Sequence, residues 1–392
     1  MHTTKYLIVG AGMTGDMAAK GIREHNSDGS ITMIGADPHP PYKRPLLTKG
    51  LWHGSPEEKI WRDPAEGVEL VTGRRIVSLD LAAQAATDDA GEEYSWEKLL
   101  LATGARPREI PGAEGVIWYR TLDDYHRLRE TAPEGSRVAV IGGGFIGSEI
   151  AAGLVGNGVR VTMLFPEDGI GHRLFPGDLS ASVTDYYREK GVEVLAGEMV
   201  ASASGDRVET QSGRTIEADA VVAGLGVVPD VELAEAAGLE VEDGIVVDEY
   251  GRVPGHANVF AAGDVARFPV RALGTSLRIE HEDHANSHGK AVGANMAGAD
   301  TPYDHLPFFY SDLFDLGYEA VGLVDSRLEA VEDWQEPYRK GVVYYLRAGR
   351  VRGVLLWNVW DQVEAARQLL AEPGPFQRAD LIGRLPRTDR QP

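Results

Sequence analysis

Apolar residues come in short runs that alternate with stretches of helical spacing, the rhythm of strand–turn–helix–strand units. Residues 6–9 (YLIV) form the first run. GAGMTG follows at 10–15, then Met17, Ala18, Ala19 and Ile22 at the spacing of one helix face, then a second run at 31–34 that ends near Asp37. That is the length of a βαβ unit. After a loop rich in Pro, Tyr, Lys and Arg (38–49), strands are predicted at 69–71, 76–79 and 99–102. The last runs into ATGARP at 102–107.

The opening pattern recurs after Arg137. Residues 138–141 are an apolar strand, GGGFIG follows at 142–147, a helix is expected from Ser148 and a second strand at 159–165. Further strands are predicted at 192–195, 207–211 and 220–223. GLGVVP at 224–229 repeats the strand-to-glycine turn of ATGARP. This is a duplication at domain scale, not a short solenoid repeat. Residues 258–262 read as a strand ending in Gly263 and Asp264, and a helix is predicted over 282–296. From Tyr303 aromatic and apolar residues alternate. Residues 341–346 and 350–357 read as a hairpin turning at Ala348 and Gly349. A helix is predicted over 360–370, and from Pro373 the chain reads as irregular. The fold class is α/β: two doubly wound, Rossmann-like nucleotide-binding domains plus a C-terminal α+β domain.

Length and composition narrow the chemistry. The 392 residues suit two or three domains, and 43% hydrophobic with 25% charged residues is ordinary for a globular protein. A formal charge of −21 argues against nucleic acid and anionic membranes as partners. No apolar run approaches the length of a membrane span, and the first strand begins too early to leave room for a secretory signal. A cytoplasmic protein without a membrane span is expected. There is no cysteine. Disulfide staples, thiolate metal sites and dithiol redox chemistry are therefore excluded, and redox work would fall to an organic cofactor or a non-thiolate metal.

Each glycine motif lies between an apolar strand and a helix, the context that gives GxGxxG its meaning. The first glycine permits the tight turn, the second admits a pyrophosphate, and the third lets helix and strand pack closely. The two sets are Gly10, Gly12, Gly15 and Gly142, Gly144, Gly147. The alternative for each is a glycine-rich turn without a ligand. The acid ending the second strand of each unit selects the nucleotide. Asp37 is the candidate ribose ligand of the first. Glu167, in LFPEDG, is that of the second, where a carboxylate would repel the 2′-phosphate of NADP and favour NADH. His172 and Arg173 close behind hint the other way, and either acid could be a solvated turn carboxylate. Two dinucleotide sites suggest a resident flavin and a visiting nicotinamide that complete a hydride relay.

The order GxGxxG, ATG-x-x-P, GGGFxGxE, G-x-G-x-x-P and AAGD resembles the pyridine-nucleotide flavoprotein reductases. That resemblance implies FAD at the first fingerprint, NADH at the second, and a glutathione-reductase-like architecture. Its boundaries would be 1–112 and 240–302 for the FAD-binding domain, 113–239 for the NAD-binding domain and 303–392 for the C-terminal α+β domain. PYKRPLLTKGLW at 41–52 resembles the cysteine-free branch, which holds the NADH-dependent ferredoxin reductases of oxygenase systems and the apoptosis-inducing factor family. The likeness to the latter rests on LFPEDG, IEHEDHA at 279–285, YSDL…GYEAVGLVDS at 310–326 and GVVYYLRAGRVRGVLLWN at 341–358. It runs from Tyr6 to about Leu370 and implies a compact, bacterial-type member.

The resemblance also implies roles. Lys49 and Glu149 match a pair beside the flavin; the alternative is a structural ion pair. Phe145 would shield the flavin ring, or simply pack its helix, with Ile146 in the same turn. Asp264, after Gly263, would hold the ribityl hydroxyls, or cap a helix. Glu280 and His281 open a helix whose N-terminus would face the flavin's pyrimidine edge, with His281 on the nicotinamide side; a cap or surface role is the alternative. Tyr310 stands where the family usually has Trp beside the flavin. Arg44 and Thr103 would contact FAD phosphates or backbone, Gly104 and Gly226 would complete their turns, and Thr103 could be only a turn residue. The EHEDH run could imitate a metal site, but the cofactor reading accounts for the same residues and no metal is expected. The other histidines receive no role.

The expected acceptor is a [2Fe–2S] ferredoxin, docked on a basic face made by Arg339, Lys340, Arg347, Arg350 and Arg352; these could equally be a solvated strand face. The second reading is an apoptosis-inducing-factor-like NADH oxidoreductase that forms a long-lived charge-transfer complex and acts as a redox sensor. Its oligomeric state, monomer or homodimer, would then depend on reduction.

Overall fold

The first predicted βαβ unit forms as His2–Val9, Met13–His25 and Ile31–Gly35. The computed structural model describes residues 1–385. They fall into two units. The first comprises Met1–Arg44, Glu57–Arg106 and Val228–Pro307. Its sheet runs Val68–Thr72, Ile31–Gly35, His2–Val9, Glu93–Leu101, with Val259–Ala261 also on the last strand, all parallel. The Ile76–Asp80/Ala85–Asp88 hairpin extends it antiparallel. The inner strands read as continuous apolar runs because both faces are covered. Tyr6, Ile8, Ile31, Met33, Leu100 and Phe260 pack there against Ala18, Ile22, Val292 and Met296 of two helices.

Those helices, Met13–His25 and Glu282–Met296, touch backbone to backbone. A Cβ on Gly293 would lie 2.0 Å from the Ala18 carbonyl oxygen, and one on Gly21 2.1 Å from that of Lys290. Small residues at this spacing let the predicted 282–296 helix press directly on the fingerprint helix.

The second unit comprises Pro45–Pro56, Pro107–Val227 and the chain from Phe308. Its parallel sheet runs Glu193–Ala196, Arg160–Phe165, Arg137–Ile141, Ala220–Ala223, Ile117–Trp118. A separate antiparallel sheet runs Phe308–Leu313, Leu316–Gly322, Arg350–Trp357, Lys340–Arg347, Glu329–Glu336. The predicted hairpin is present, and Ala348 and Gly349 turn it at φ 52° and 71°. The sequence division is finer: it proposes these two sheets as separate domains, and they share no strand.

Several expectations need correction. The second fingerprint helix begins at Phe145, not Ser148, because Gly144 is its N-cap. Helices Leu122–Thr131 and Gly177–Glu189 were not read. The first carries a Thr121/Asp124 capping box that a search for that signature would find. The 360–370 helix starts at Val363, since Asp361 has φ 59°, outside helical space. In the tail expected to be irregular, Arg378–Leu381 forms a helical turn. Residues 386–392 of that tail lie outside the described residues.

Candidate functional site

The two fingerprints are built alike. Gly10 and Gly142 have φ 115° and 116°, and a Cβ on either would strike a carbonyl oxygen, of Ala102 at 2.1 Å and of Gly224 at 2.4 Å. Gly15 and Gly147 could carry no Cβ either, since it would lie 2.1 and 2.0 Å from the carbonyl oxygens of Gly10 and Gly142. Gly12 and Gly144 differ from both. Each is the helix N-cap, with φ −89°, ψ −164° and φ −90°, ψ −164°, and a Cβ there would meet nothing within 4 Å. Neither helix N-terminus has a side-chain cap. Each cradle therefore presents uncapped N–H groups and the positive end of a helix dipole to open space, which suits a pyrophosphate. The residues present fit two dinucleotides.

The candidate acids close each unit at the end of its second strand. Asp37 is well fixed: its Oδ1 accepts from the His39 amide at 3.1 Å, its Oδ2 from the Tyr42 hydroxyl at 2.8 Å, and Arg44 stands 3.7 Å away. Arg44 also lies over the Tyr42 ring. Glu167 meets Arg173 at 3.1 Å. Arg173 is 86% exposed, so this ion pair is weak and readily exchanged for a ribose diol. Thr103 donates its hydroxyl to the Asp230 carbonyl at 2.7 Å, and the Asp230 amide donates to Gly104. The hydroxyl thus ties the 102–107 turn to the chain at Asp230. Gly104 and Gly226 have φ 75° and 83°, as such turns require.

In the first unit, Asp264 sits within a short turn, Gly263–Val265, whose N-cap is Ala262. The Asp264 carbonyl accepts from Arg278 Nη1 at 3.2 Å, and Arg278 also pairs with Glu280. His281 is the N-cap of Glu282–Met296 but makes no side-chain cap. Burial pushes its pKa down to about 4, although the Asp264 and Asp283 carboxylates pull the other way. Asp264 and His281 are therefore neighbours, and His281 is neutral at pH 7.

In the second unit, the 45–56 segment brings Lys49 to Glu149. Trp52 anchors that segment: it is buried, donates from its indole to the Leu47 carbonyl at 2.9 Å, and rests on Gly153, where a Cβ would lie 2.9 Å from the ring. Lys49 Nζ then meets Glu149 Oε1 at 2.5 Å. Thr48 and Ser311 donate hydroxyls to the same carboxylate at 2.5 and 2.6 Å, and Lys49 lies 5.1 Å from the Tyr310 ring centroid. One buried carboxylate thus gathers a cation and two hydroxyls from two other chain segments, the satisfaction a buried charge needs. Phe145 packs edge-on to Phe309 at 5.4 Å.

Sequence reasoning missed Thr48 and Ser311, because hydroxyls carry no motif. It also missed Asp16, which directly follows Gly15. Asp16 is 1% exposed, binds Lys20 and Arg62 at 3.0 and 2.6 Å through Oδ2, and leaves Oδ1 without a protein partner. The expected basic face is not one face. Lys340 and Arg347 end the same eight-residue strand, roughly 23 Å apart at the rise of a β-strand. Arg339 instead stacks on Tyr186, and Arg347, Arg350 and Arg352 cluster at the hairpin end.

Comparison with known proteins places this geometry. Residues 4–289 match the pyridine nucleotide-disulphide oxidoreductase family. The chain belongs to that family. It is an FAD-dependent NAD(P)H oxidoreductase, and having no cysteine it cannot perform the disulphide chemistry of the family's name. Segments 292–337 and 331–372 match the C-terminal region of mitochondrion-associated apoptosis-inducing factor. The chain is 35% identical to the ferredoxin–NAD(+) reductase component of the anthranilate 1,2-dioxygenase system of Burkholderia cepacia, over 97% of this chain and 98% of that protein. It is 31% identical to apoptosis-inducing factor 1, mitochondrial, of Dictyostelium discoideum, over 93% of this chain and 78% of the other. Among solved structures it resembles putidaredoxin reductase in its covalent complex with putidaredoxin, with a TM-score of 0.87 and 29% identity, covering 95% of this chain and 94% of that one. Among the described residues, no helix is long and apolar enough to cross a membrane, and no group of His, Asp or Glu could hold a metal ion.

Proposed function

We propose that the chain oxidises NADH and delivers the electrons to a [2Fe–2S] ferredoxin. The observation that carries the redox half is the pair of matching cradles, each open only at its middle glycine. The acceptor is supported by the likeness to reductases whose names specify ferredoxin or putidaredoxin. Hydride acceptance and release of electrons one at a time are the chemistry FAD supplies when bound. One NADH and two oxidised ferredoxins then give NAD⁺, a proton and two reduced ferredoxins.

The chain's own residues bind and orient. Gly10, Gly12 and Gly15 receive the FAD pyrophosphate, and Asp37 its adenosine ribose. Asp264 takes the ribityl chain, and the helix opening at Glu282, with Glu280 and His281 before it, offers positive dipole to the isoalloxazine. Gly142, Gly144 and Gly147 receive NADH, with Glu167 on the ribose diol. Phe145, the Lys49–Glu149 pair and Tyr310 serve the hydride transfer: Glu149 holds Lys49 in place, and Tyr310 presents an aromatic surface. Arg347, Arg350 and Arg352 are the proposed contact for an acidic ferredoxin.

The match of the C-terminal segment to apoptosis-inducing factor favours a second reading, a slow NADH oxidoreductase that changes oligomeric state on reduction. Stopped-flow reduction by NADH, followed by addition of a ferredoxin, separates them. Fast bleaching of the flavin and ferredoxin-dependent turnover support the first. A long-lived charge-transfer band with dimerisation, and no turnover, supports the second. A protein purified colourless that takes up no flavin refutes both.

A further inference from the structure

The helix Glu282–Met296 does more than pack. Its Gly289 and Gly293 lie on the fingerprint helix, where a Cβ on Gly289 would sit 2.5 Å from the Thr14 carbonyl oxygen. Gly263 is caught in the same place. It has φ 74°, and a Cβ on it would lie 2.2 Å from the Thr14 hydroxyl. The turn that presents Asp264 is thus pressed on one side against the first turn of the fingerprint helix. Beside it stands His288, 1% exposed, whose Nδ1 accepts a hydrogen bond from the Gly263 amide at 3.3 Å.

That bond fixes the state of the ring. Only an unprotonated Nδ1 can accept, so His288 is neutral and carries its proton on Nε2. Burial alone accounts for this, pushing its pKa down to about 3. Phe268, His284 and Tyr303 enclose the ring, at centroid distances of 4.9, 4.7 and 4.6 Å. Little room is left for water to replace either member of the Gly263–His288 pair.

We propose that His288 is a positioning residue for the flavin: by accepting the Gly263 amide it holds the Gly263–Asp264 turn against the fingerprint helix, so that Asp264 and the Gly10–Gly15 cradle grip one FAD molecule as a single rigid site. The inference rests on the reading of this unit as the FAD site. It adds a residue outside both fingerprints, in the interior of the helix whose N-terminus lies beside Asp264.

The test compares His288→Asn, whose amide oxygen can take the place of Nδ1, with His288→Leu, which fills similar space and accepts nothing. FAD dissociation from the holoprotein is followed by recovery of flavin fluorescence, beside the thermal midpoint. Leu should weaken FAD binding about tenfold or more, the consequence of leaving a buried N–H unpaired, while Asn should stay within about threefold of wild type. Equal loss in both variants, or loss in neither, overturns the proposal. A second measurement needs no variant to fold. In the wild-type protein, with or without FAD, the ¹⁵N shifts of His288 should show Nδ1 unprotonated and Nε2 protonated at pH 7, and the Gly263 amide should exchange slowly. A proton on Nδ1, or fast exchange at Gly263, overturns it. If the wild type binds no FAD, the flavin reading fails by itself, while the tautomer and exchange data still decide whether His288 holds the turn.

Discussion

Replacing the middle glycine of either fingerprint by alanine separates folding from binding in a way the outer glycines do not allow. At Gly12 the backbone is extended, at φ −89° and ψ −164°, a conformation alanine adopts without strain, and the new methyl would meet no protein atom within 4 Å. Gly12→Ala should therefore fold, with a gain of about 0.4–1 kcal/mol from the less flexible unfolded chain. The methyl would occupy the space the pyrophosphate must enter. Losing one charge-assisted hydrogen bond to the helix N-terminus costs about 1.5–3 kcal/mol, or about ten- to a hundredfold in FAD affinity. Gly144→Ala, with the same geometry, should leave FAD binding intact and raise KM for NADH by a similar factor. Gly10→Ala is the contrast, because its methyl would lie 2.1 Å from a carbonyl oxygen at φ 115° and the variant should not fold. The assays are thermal melting of the apoprotein, FAD titration by fluorescence quenching, and steady-state kinetics. A Gly12→Ala protein that keeps FAD affinity within twofold, or a Gly144→Ala protein with unchanged KM, would refute the assignment of the cradles.

Further outcomes follow from the same geometry. Glu149→Leu strands the Lys49 ammonium and two hydroxyls, at a cost of about 3–5 kcal/mol, and adding Lys49→Met should restore much of it; urea titration of the single and double variants measures this, and no recovery in the double variant contradicts a stranded charge. Glu167→Ala should reduce the preference for NADH over NADPH, read as the ratio of kcat/KM values, and an unchanged ratio removes Glu167 from the ribose site. His281 and His288 have pKa values lowered from about 6.5 to about 4 and about 3, so the unfolded chain binds their protons more readily than the folded one. Their contribution to stability is full above about pH 6.5 and is lost as pH falls toward 4 and then 3. Urea midpoints should decline across that window, less steeply in His288→Asn, and identical slopes in the two proteins would count against the buried neutral histidine.

The strands that carry the cradles were legible because both faces of a parallel sheet are covered, so each inner strand shows as an unbroken apolar run ended by glycine. The cradles themselves were legible because the turn is local: within six residues, chain geometry demands glycine twice and ligand access demands it once. Helix Leu122–Thr131 was missed because its buried face is only Leu122, Tyr125 and Leu128, set among charges. The basic cluster was misread because closeness in sequence along a strand is distance in space.

The sequence by itself determined that this protein binds two dinucleotides, that no thiol takes part, and which acid ends each βαβ unit. All three follow from residues a few positions apart, or from a residue type that is absent. Only the tertiary structure decided what surrounds the chemistry: that Thr48 and Ser311 share Glu149 with Lys49, that Trp52 seats that segment on Gly153, and that His288 accepts the Gly263 amide. Those partners lie tens to hundreds of residues apart and use hydroxyls, backbone amides and a neutral imidazole. Such groups acquire a role only when burial takes away water and leaves them only protein partners.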